Sequence, residues 1–241
     1  MRSARASRRP SLAATLAAGL ALLAAGAQAE PSAPSFDSVM AHFARSHGVE
    51  ARFREEKSLP LLVDPLVSEG VLYYAPPGRM LRVTHAPEQT SLLLDGDRLR
   101  MQDSLGVEEL DLASHPEARQ FVDQLRVLFR GDADALRERY EIDFEWRGGP
   151  WSLRLTPKGL RMQAVIREIA LIGHDRTLEQ MVVRGAAGEV TRTTYRDVDS
   201  DRSFRPEELA VLFPADGAPR PLADRETGAD ATHASPDALH P

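Results

Sequence analysis

Apolar and polar residues alternate along residues 49–102 with the two-residue period of antiparallel strands. Turn residues interrupt the alternation, and the Asp95-Gly96 pair is a strong signal for a tight hairpin. We therefore expect a meandering antiparallel sheet whose apolar face is covered by a helix, a second sheet or a ligand. The predicted strands lie at residues 49–57, 66–74, 80–84, 91–94 and 99–102.

Apolar residues with helical spacing flank this block on both sides. Residues 35–46 predict a helix that Ser35 caps, and residues 116–140 predict a longer helix that Gly131 interrupts, followed by a short one at 132–139. The sequence allows each apolar stripe to be ordinary core or the inner side of a lid over a ligand. The two stripes are Phe36, Val39, Met40 and Phe43, and Phe121, Leu125, Leu128 and Phe129.

Alternation resumes after residue 140 and predicts a second block of strands. A final segment, residues 204–213, contains a helical turn at Pro206-Glu207-Glu208. No internal repeat of fixed period is present, so the two blocks belong to one sheet-forming domain. The strands of the second block are predicted at residues 142–147, 151–157, 164–172, 177–184 and 189–198.

The two ends of the chain differ in composition from the rest. Residues 1–29 combine basic residues, an apolar stretch and the small-residue sequence Ala27-Gln28-Ala29, which together predict a cleaved secretory signal peptide. Residues 30–214 are the predicted folded domain, and residues 215–241 have almost no large apolar residue and predict a disordered tail. We therefore expect export to the periplasm without a membrane anchor.

The charge balance excludes some classes of partner. The full chain has a formal net charge of −6, and the signal segment carries basic residues but no acidic one, so the exported chain is more acidic still. Without a basic stripe, it is a poor candidate for binding nucleic acid or for resting on an anionic membrane by charge alone. The chain has no cysteine, which excludes disulfides, a lipid-modified N-terminus and thiol chemistry.

Residue types that form catalytic and metal sites do not occur in a recognisable pattern. The seven histidines are scattered, and there is no Gly-x-Ser-x-Gly elbow or glycine-rich phosphate loop. Asp197, Asp199 and Asp201 alternate as in a calcium-binding loop. Arg202, however, stands where the sharp turn of such a loop needs glycine. We expect a solvated acidic turn there, and no catalytic residue, metal or cofactor.

Several short motifs occur in a recognisable order. A glycine and an apolar residue begin a strand, prolines and an Asp-Gly hairpin follow, a later strand ends in a Thr-Pro-Lys corner, and a Leu-Phe-Pro closes the series. These motifs are Gly70, Leu72, Pro77, Pro87, Asp95-Gly96, Trp151-x-Leu153-x-Leu155-Thr156-Pro157-Lys158 and Leu212-Phe213-Pro214. Their order resembles the periplasmic lipoprotein carrier LolA and its relatives over about residues 36–214, with Leu212-Phe213-Pro214 similar to the end of the family's last strand.

The resemblance implies an α+β fold in which a curved antiparallel sheet forms an incomplete, half-open β-barrel covered by helices. It implies a monomeric periplasmic carrier that takes an acylated lipoprotein or glycolipid from an inner-membrane exporter to an outer-membrane acceptor. A lipid-binding envelope-stress sensor on the same scaffold is the alternative. The residues expected to line the cavity and its lid are Phe36, Met40, Phe43, Leu72, Tyr74, Leu92, Leu94, Leu99, Met101, Phe121, Leu125, Leu128 and Phe129.

One position departs from the family pattern. The family's lipoprotein carriers have an arginine directly before the turn proline, and this arginine holds the lid shut by hydrogen bonds to lid backbone. Pro76 occupies that position here. Because proline has no donor to offer, we expect the lid of this chain to be controlled differently.

Overall fold

The computed structural model describes residues 33–216 and 218–221. The predicted signal peptide lies outside these described residues, as does the predicted tail from residue 222 onward. The first residues after the domain still contact it, because the Arg220 N–H donates a hydrogen bond to the Val211 carbonyl at 3.2 Å. Within the described ranges, no helix is long and apolar enough to cross a membrane.

The described part of the chain forms one antiparallel sheet. Its strands are β1 (Val49–Ser58), β2 (Leu66–Ala75), β3 (Arg79–Ala86), β4 (Thr90–Asp95), β5 (Arg98–Gln102), β6 (Val107–Asp111), β7 (Tyr140–Trp146), β8 (Pro150–Pro157), β9 (Ile166–His174), β10 (Thr177–Gly185) and β11 (Val190–Asp199). They follow the order β6-β5-β4-β3-β2-β1-β11-β10-β9-β8-β7. The first and last strands therefore meet at the centre, while β6 and β7 are separate edges. The sheet does not close, which confirms the predicted α+β fold with an incomplete barrel.

Helices lie between and after the strands, with α1 and α2 where the apolar stripes predict them. Ser35 and Ser38 fix the start of α1 through a reciprocal capping box, with N–H to hydroxyl distances of 2.8 and 3.2 Å. The helices of the described residues are α1 (Phe36–Arg45), α2 (Pro116–Phe129), α3 (Ala133–Arg139), α4 (Leu160–Gln163) and α5 (Pro206–Leu212).

Two elements were not predicted from the sequence. The edge strand β6 carries adjacent charges, Glu108 and Glu109, and most of its residues are exposed, so it lacks a clear apolar alternation. Its place is set by backbone pairing with β5. The single turn of α4 lies directly before the segment where strand 164–172 was expected to begin, and β9 starts two residues later than expected, at Ile166.

The end of the domain corrects one expectation. Leu212-Phe213-Pro214 does not end a strand, because residues 206–212 form α5. Pro206 opens this helix, and the Glu208 carboxylate accepts a hydrogen bond from the Arg205 N–H at 2.7 Å. Helical spacing then places Leu209 and Leu212 on the face that packs against the sheet.

Helices cover the sheet on both faces. On the outer face, α5 packs against the odd-numbered residues of β2, including Val71 and Tyr73, and against Leu81, Val83 and Leu93. On the inner face, α1, α3 and α4 pack against β7, β8 and β9 around Met40, Leu136, Trp151 and Leu171. The helix α2 forms a separate inner core around Leu94, Leu112 and Val122. The inner face is thus covered by two cores, one over each half of the sheet.

The turn between α2 and α3 lies directly on α1. Gly131 ends α2 with a φ of +64°, in the left-handed region that favours glycine. A Cβ at this position would lie 2.2 Å from the Met40 carbonyl oxygen and 2.5 Å from the Ala44 nitrogen. Glycine is required here because the α2–α3 turn touches the backbone of α1.

A buried ionic network joins α5 to the centre of the sheet. Arg202, whose side chain is 5% exposed, donates to Glu50 of β1 at 2.9 Å and to Glu208 of α5 at 2.8 Å. The Arg205 backbone N–H and the Arg202 guanidinium both stabilise the ionised Glu208 carboxylate and lower its pKa to about 2.

We expect Glu208→Gln to weaken the domain at neutral pH and to flatten its acid sensitivity. The carboxylate has a lower pKa in the folded state than its ordinary value of 4.5, so it stabilises the fold above that value and loses this effect as pH falls towards 2. Loss of the charge-assisted hydrogen bonds should cost about 2 kcal/mol at pH 7. Urea unfolding at pH 7 and pH 3 measures both effects. Glu207→Gln is the control, because Glu207 is the exposed neighbour of Glu208. An equal deficit at both pH values would contradict this assignment.

Candidate functional site

A small apolar cavity lies between the helices and the inner face of the sheet. It has a volume of about 50 Å³ and is bounded by the C-terminal ends of α1 and α2 and by β1, β2, β10 and β11. Most lining side chains are aliphatic or aromatic, while Ser46, Arg176 and Ser200 add polar groups. Among the described residues, the lining consists of Phe43, Ser46, Val49, Ala51, Leu72, Tyr74, Phe129, Arg176, Leu178, Tyr195, Val198 and Ser200.

Four of the residues expected at the cavity line it. Leu72 and Tyr74 come from the inner face of β2, Phe43 from α1, and Phe129 from the last turn of α2. The rings of Tyr74 and Phe129 stack with centroids 5.5 Å apart and an interplanar angle of 27°. This stack closes the cavity where α2 meets the sheet, so α2 is called the lid below.

Among the other residues expected at the cavity, those whose side chains the structure describes do not line it. Phe36, Met40 and Leu128 are buried in the core that α1 and α3 form, and Leu94 and Leu99 belong to the core under α2. Leu92 and Met101 lie on the inner face but remain 37% and 48% exposed. The side chains of Phe121 and Leu125 lie outside the described part of the structure.

Sequence reasoning missed the part of the lining that comes from β1, β10 and β11. Ala51 could have been predicted, because the alternation of its strand places it on the apolar face. Tyr195 and Leu178 reach the cavity because β11 pairs with both β1 and β10. The β10–β11 pairing joins consecutive strands, but no local pattern indicates the β1–β11 pairing, which joins strands more than half the chain apart.

The cavity is narrow in this conformation. A cavity of 150 Å³ lined by aliphatic and aromatic residues holds one benzene molecule, whereas the volume here is about 50 Å³. The interior is therefore mostly filled by the protein's own side chains. A long acyl chain fits only if Phe129 moves away with the lid and the Phe43 side chain is displaced.

Arg126 of α2 and Arg130, which directly follows α2, fasten the lid to the turns of the sheet. The Arg130 Nε donates to the Pro77 carbonyl at 2.7 Å, and the Arg126 guanidinium donates to the Gly96 carbonyl. We call these two contacts the arginine clamp. The donors stand on the lid and the acceptors on the sheet turns, so Pro76 does not prevent polar closure of the lid. The polar contacts of the lid therefore come from Arg126 and Arg130, and not from an arginine before Pro77.

The acidic residues at the end of β11 and in the turn after it contact basic groups of the protein itself. Asp201 accepts a hydrogen bond from the His47 backbone N–H at 2.9 Å and lies 2.8 Å from the His47 Nδ1. Asp197 lies 3.5 Å from the Arg52 Nε. Among the described residues, no group of three or more His, Cys, Asp or Glu side chains is arranged to hold a metal ion.

Comparisons with known proteins assign the chain to a family. A family model described as "Outer membrane lipoprotein carrier protein LolA-like" matches residues 28–204. A search of curated proteins found no match. Similar solved structures include a LolA superfamily protein from Nitrosomonas europaea, with 11% identity, a TM-score of 0.40 and coverage of 73% of this chain and 97% of that chain.

Two further solved structures are similar at comparable levels. The Pseudomonas aeruginosa MucA/MucB complex has 12% identity and a TM-score of 0.46 and covers 72% of this chain and 59% of the other. The Mycobacterium tuberculosis lipoprotein LppX has 12% identity and a TM-score of 0.39, with coverage of 68% and 97% respectively.

We expect Arg130→Gln to loosen the lid while leaving the sheet intact. The variant loses one charge-assisted hydrogen bond at a partly hydrated site, which should increase hydrogen exchange of the α2 amides about five-fold. Arg167→Gln is a matched control, because Arg167 donates to the Ala186 carbonyl at 2.8 Å in the second half of the sheet. Mass spectrometry measures the hydrogen-exchange rates of the α2 amides. Equal rates in wild type and Arg130→Gln would show that the clamp does not hold the lid.

Proposed function

Because this chain belongs to the LolA-like family of outer membrane lipoprotein carrier proteins, we propose that it is a periplasmic carrier of acylated molecules. In this proposal, the acyl chains of a lipoprotein or glycolipid enter the space beneath the lid and travel there from the inner to the outer membrane. The observation that carries the proposal is the apolar cavity between the open sheet and a lid that is closed by one aromatic stack and the arginine clamp.

The energetics favour a protein that opens for its cargo. Burial of each methylene group contributes about 0.8 kcal/mol, so an acyl chain of roughly fifteen carbons gains on the order of 12 kcal/mol when it leaves water. That gain offsets separation of the Tyr74 and Phe129 rings and of the two clamp contacts. A closed empty state then protects the apolar wall from water until cargo is offered.

The proposed route between two membranes requires a partner protein at each end. Residues 1–29 would direct export, and the acidic mature chain has little attraction for anionic membrane surfaces. Loading and unloading would therefore depend on an inner-membrane exporter and an outer-membrane acceptor protein. The carrier itself would act as a monomer and needs no cofactor for this cycle.

We expect Phe129→Asp to remove lipid that copurifies with the protein. The variant places a carboxylate in the lining of the cavity, where an acyl chain would desolvate it. Mass spectrometry of organic extracts of the gently purified protein measures the bound lipid. Leu160→Asp is the control, because Leu160 is 82% exposed on α4 and lies outside the cavity lining. Equal lipid content in folded Phe129→Asp and wild type would refute binding at this cavity.

The carrier and sensor hypotheses differ in what happens to bound lipid. A carrier releases its lipid when acceptor vesicles and an acceptor protein are present, because the lid opens on contact. A sensor retains the lipid and presents a changed surface to a regulatory protein. We expect radiolabelled lipid to leave the protein in the presence of acceptor, and retention under those conditions would favour the sensor.

A further inference from the structure

An aromatic ring and a guanidinium stack on the inner face of the sheet beside the cavity. Phe53 of β1 lies opposite Gly70 of β2, and a Cβ at Gly70 would lie 2.9 Å from atoms of the Phe53 ring. The Arg82 guanidinium of β3 lies 4.2 Å from the centroid of that ring. Glycine at position 70 leaves room for the ring to lie on the sheet, and the ring in turn supports the guanidinium.

Polar side chains of three other strands lie around this guanidinium. Arg82 lies 3.1 Å from the Glu55 carboxylate and 3.3 Å from the Ser68 hydroxyl. Glu55 in turn accepts a hydrogen bond from the Thr193 hydroxyl at 3.2 Å. Ser68 and Thr193 are the cross-strand neighbours of Glu55 on β2 and β11. We call Glu55, Ser68, Arg82 and Thr193 the polar cluster.

The polar cluster adjoins the apolar cavity. Leu72, which lines the cavity, is the cross-strand neighbour of Arg82. Tyr195, which also lines it, is the cross-strand neighbour of Phe53. Burial raises the pKa of the Tyr195 hydroxyl, with opposite influences from Arg82 and Glu55, so this group stays a neutral donor beside the cluster. One inner surface therefore passes from apolar to charged within a single strand spacing.

Stability alone gives little reason for this cluster. A largely buried ion pair contributes little net stability compared with apolar residues of similar volume, and the side chains of Arg82 and Glu55 are only 30% and 19% exposed. The Arg82 Nε is also buried without a hydrogen-bond partner. A buried donor without an acceptor costs free energy and calls for an explanation. An acceptor that arrives with a ligand would provide one.

We propose that the polar cluster binds the ester or amide carbonyl of the acylated cargo, with Arg82 as donor, while the acyl chain occupies the adjoining cavity. This inference rests on the proposed function and adds the chemical class of the cargo. Opening of the lid uncovers Leu72 and Tyr195, and a chain that lies across them brings its first carbonyl next to Arg82. The cluster thereby sets the direction of the chain within the protein.

The cluster favours a neutral carbonyl over an anionic head group. Glu55 already neutralises Arg82, so a carboxylate or phosphate placed there would face the Glu55 carboxylate without a free compensating charge. A neutral carbonyl gains the hydrogen bond without that repulsion. The site should therefore distinguish acyl esters and amides from free fatty acids of the same chain length.

Three lipids with the same sixteen-carbon chain test this inference. They are 1-palmitoylglycerol, its ether analogue 1-hexadecylglycerol, which lacks the carbonyl, and palmitate, which carries a charge. Displacement of a bound fluorescent lipid from the full mature chain measures their affinities. Wild type should bind palmitoylglycerol about ten-fold more tightly than the ether, as expected for one hydrogen bond to a charged donor, and more tightly than palmitate.

Two variants assign the effect to the cluster. Arg82→Met should bind the ester and the ether equally, and Glu55→Gln should gain affinity for palmitate relative to palmitoylglycerol because the repelling charge is gone. Circular dichroism verifies that each variant is folded, and Glu55→Gln decides alone if Arg82→Met does not fold. An ester preference that persists in Arg82→Met, or an unchanged palmitate ratio in Glu55→Gln, overturns the inference while leaving the carrier proposal intact. Failure of wild type to bind any of the three lipids overturns both.

Discussion

An antiparallel sheet that curves without closing leaves an apolar inner face that its own strands do not cover. In this protein the uncovered face is long, because β1 and β11 pair at the centre and join both halves into one sheet. Helices must therefore supply the missing layer. They do so as two separate cores, and the cavity lies where those cores meet on β1, β2, β10 and β11. The candidate site is a consequence of covering one curved face with two blocks of helices.

The contacts that close this site differ from those that hold the rest of the domain. The core under α1 and α3 is broad and apolar, with residues such as Met40 and Leu171 fully buried. At the end of α2, Val127 and Leu128 join this core, whereas one aromatic stack and the arginine clamp are the contacts on the cavity side. Side-chain donors to backbone carbonyls re-form easily after water has replaced them, because the net contribution of each is small. This region is therefore suited to opening while the opposite core keeps the fold.

Several elements followed from local chemistry alone. The alternation in residues 49–57 and 66–74 predicted β1 and β2, and the Asp95-Gly96 pair predicted the β4–β5 hairpin. Both signals are local, because tight turns and strand periods depend on residues that are neighbours in the sequence. The edge strand β6 was not predicted because its charged residues leave no clear alternation of apolar positions. At the end of the domain, Pro206 and Glu208 predicted a helical turn, and α5 begins there, so only the resemblance of Leu212-Phe213-Pro214 to a strand end was wrong.

The sequence by itself determined the strand and helix segments, the acidic charge and the family to which the chain is similar. It also identified Phe43, Leu72, Tyr74 and Phe129 as cavity candidates, because their periods place them on apolar faces. Only the tertiary structure decided that the cavity is small and that Arg130 contacts the Pro77 turn. Cavity volume and contacts between distant segments depend on how two cores pack over one curved sheet, and no local period encodes that packing.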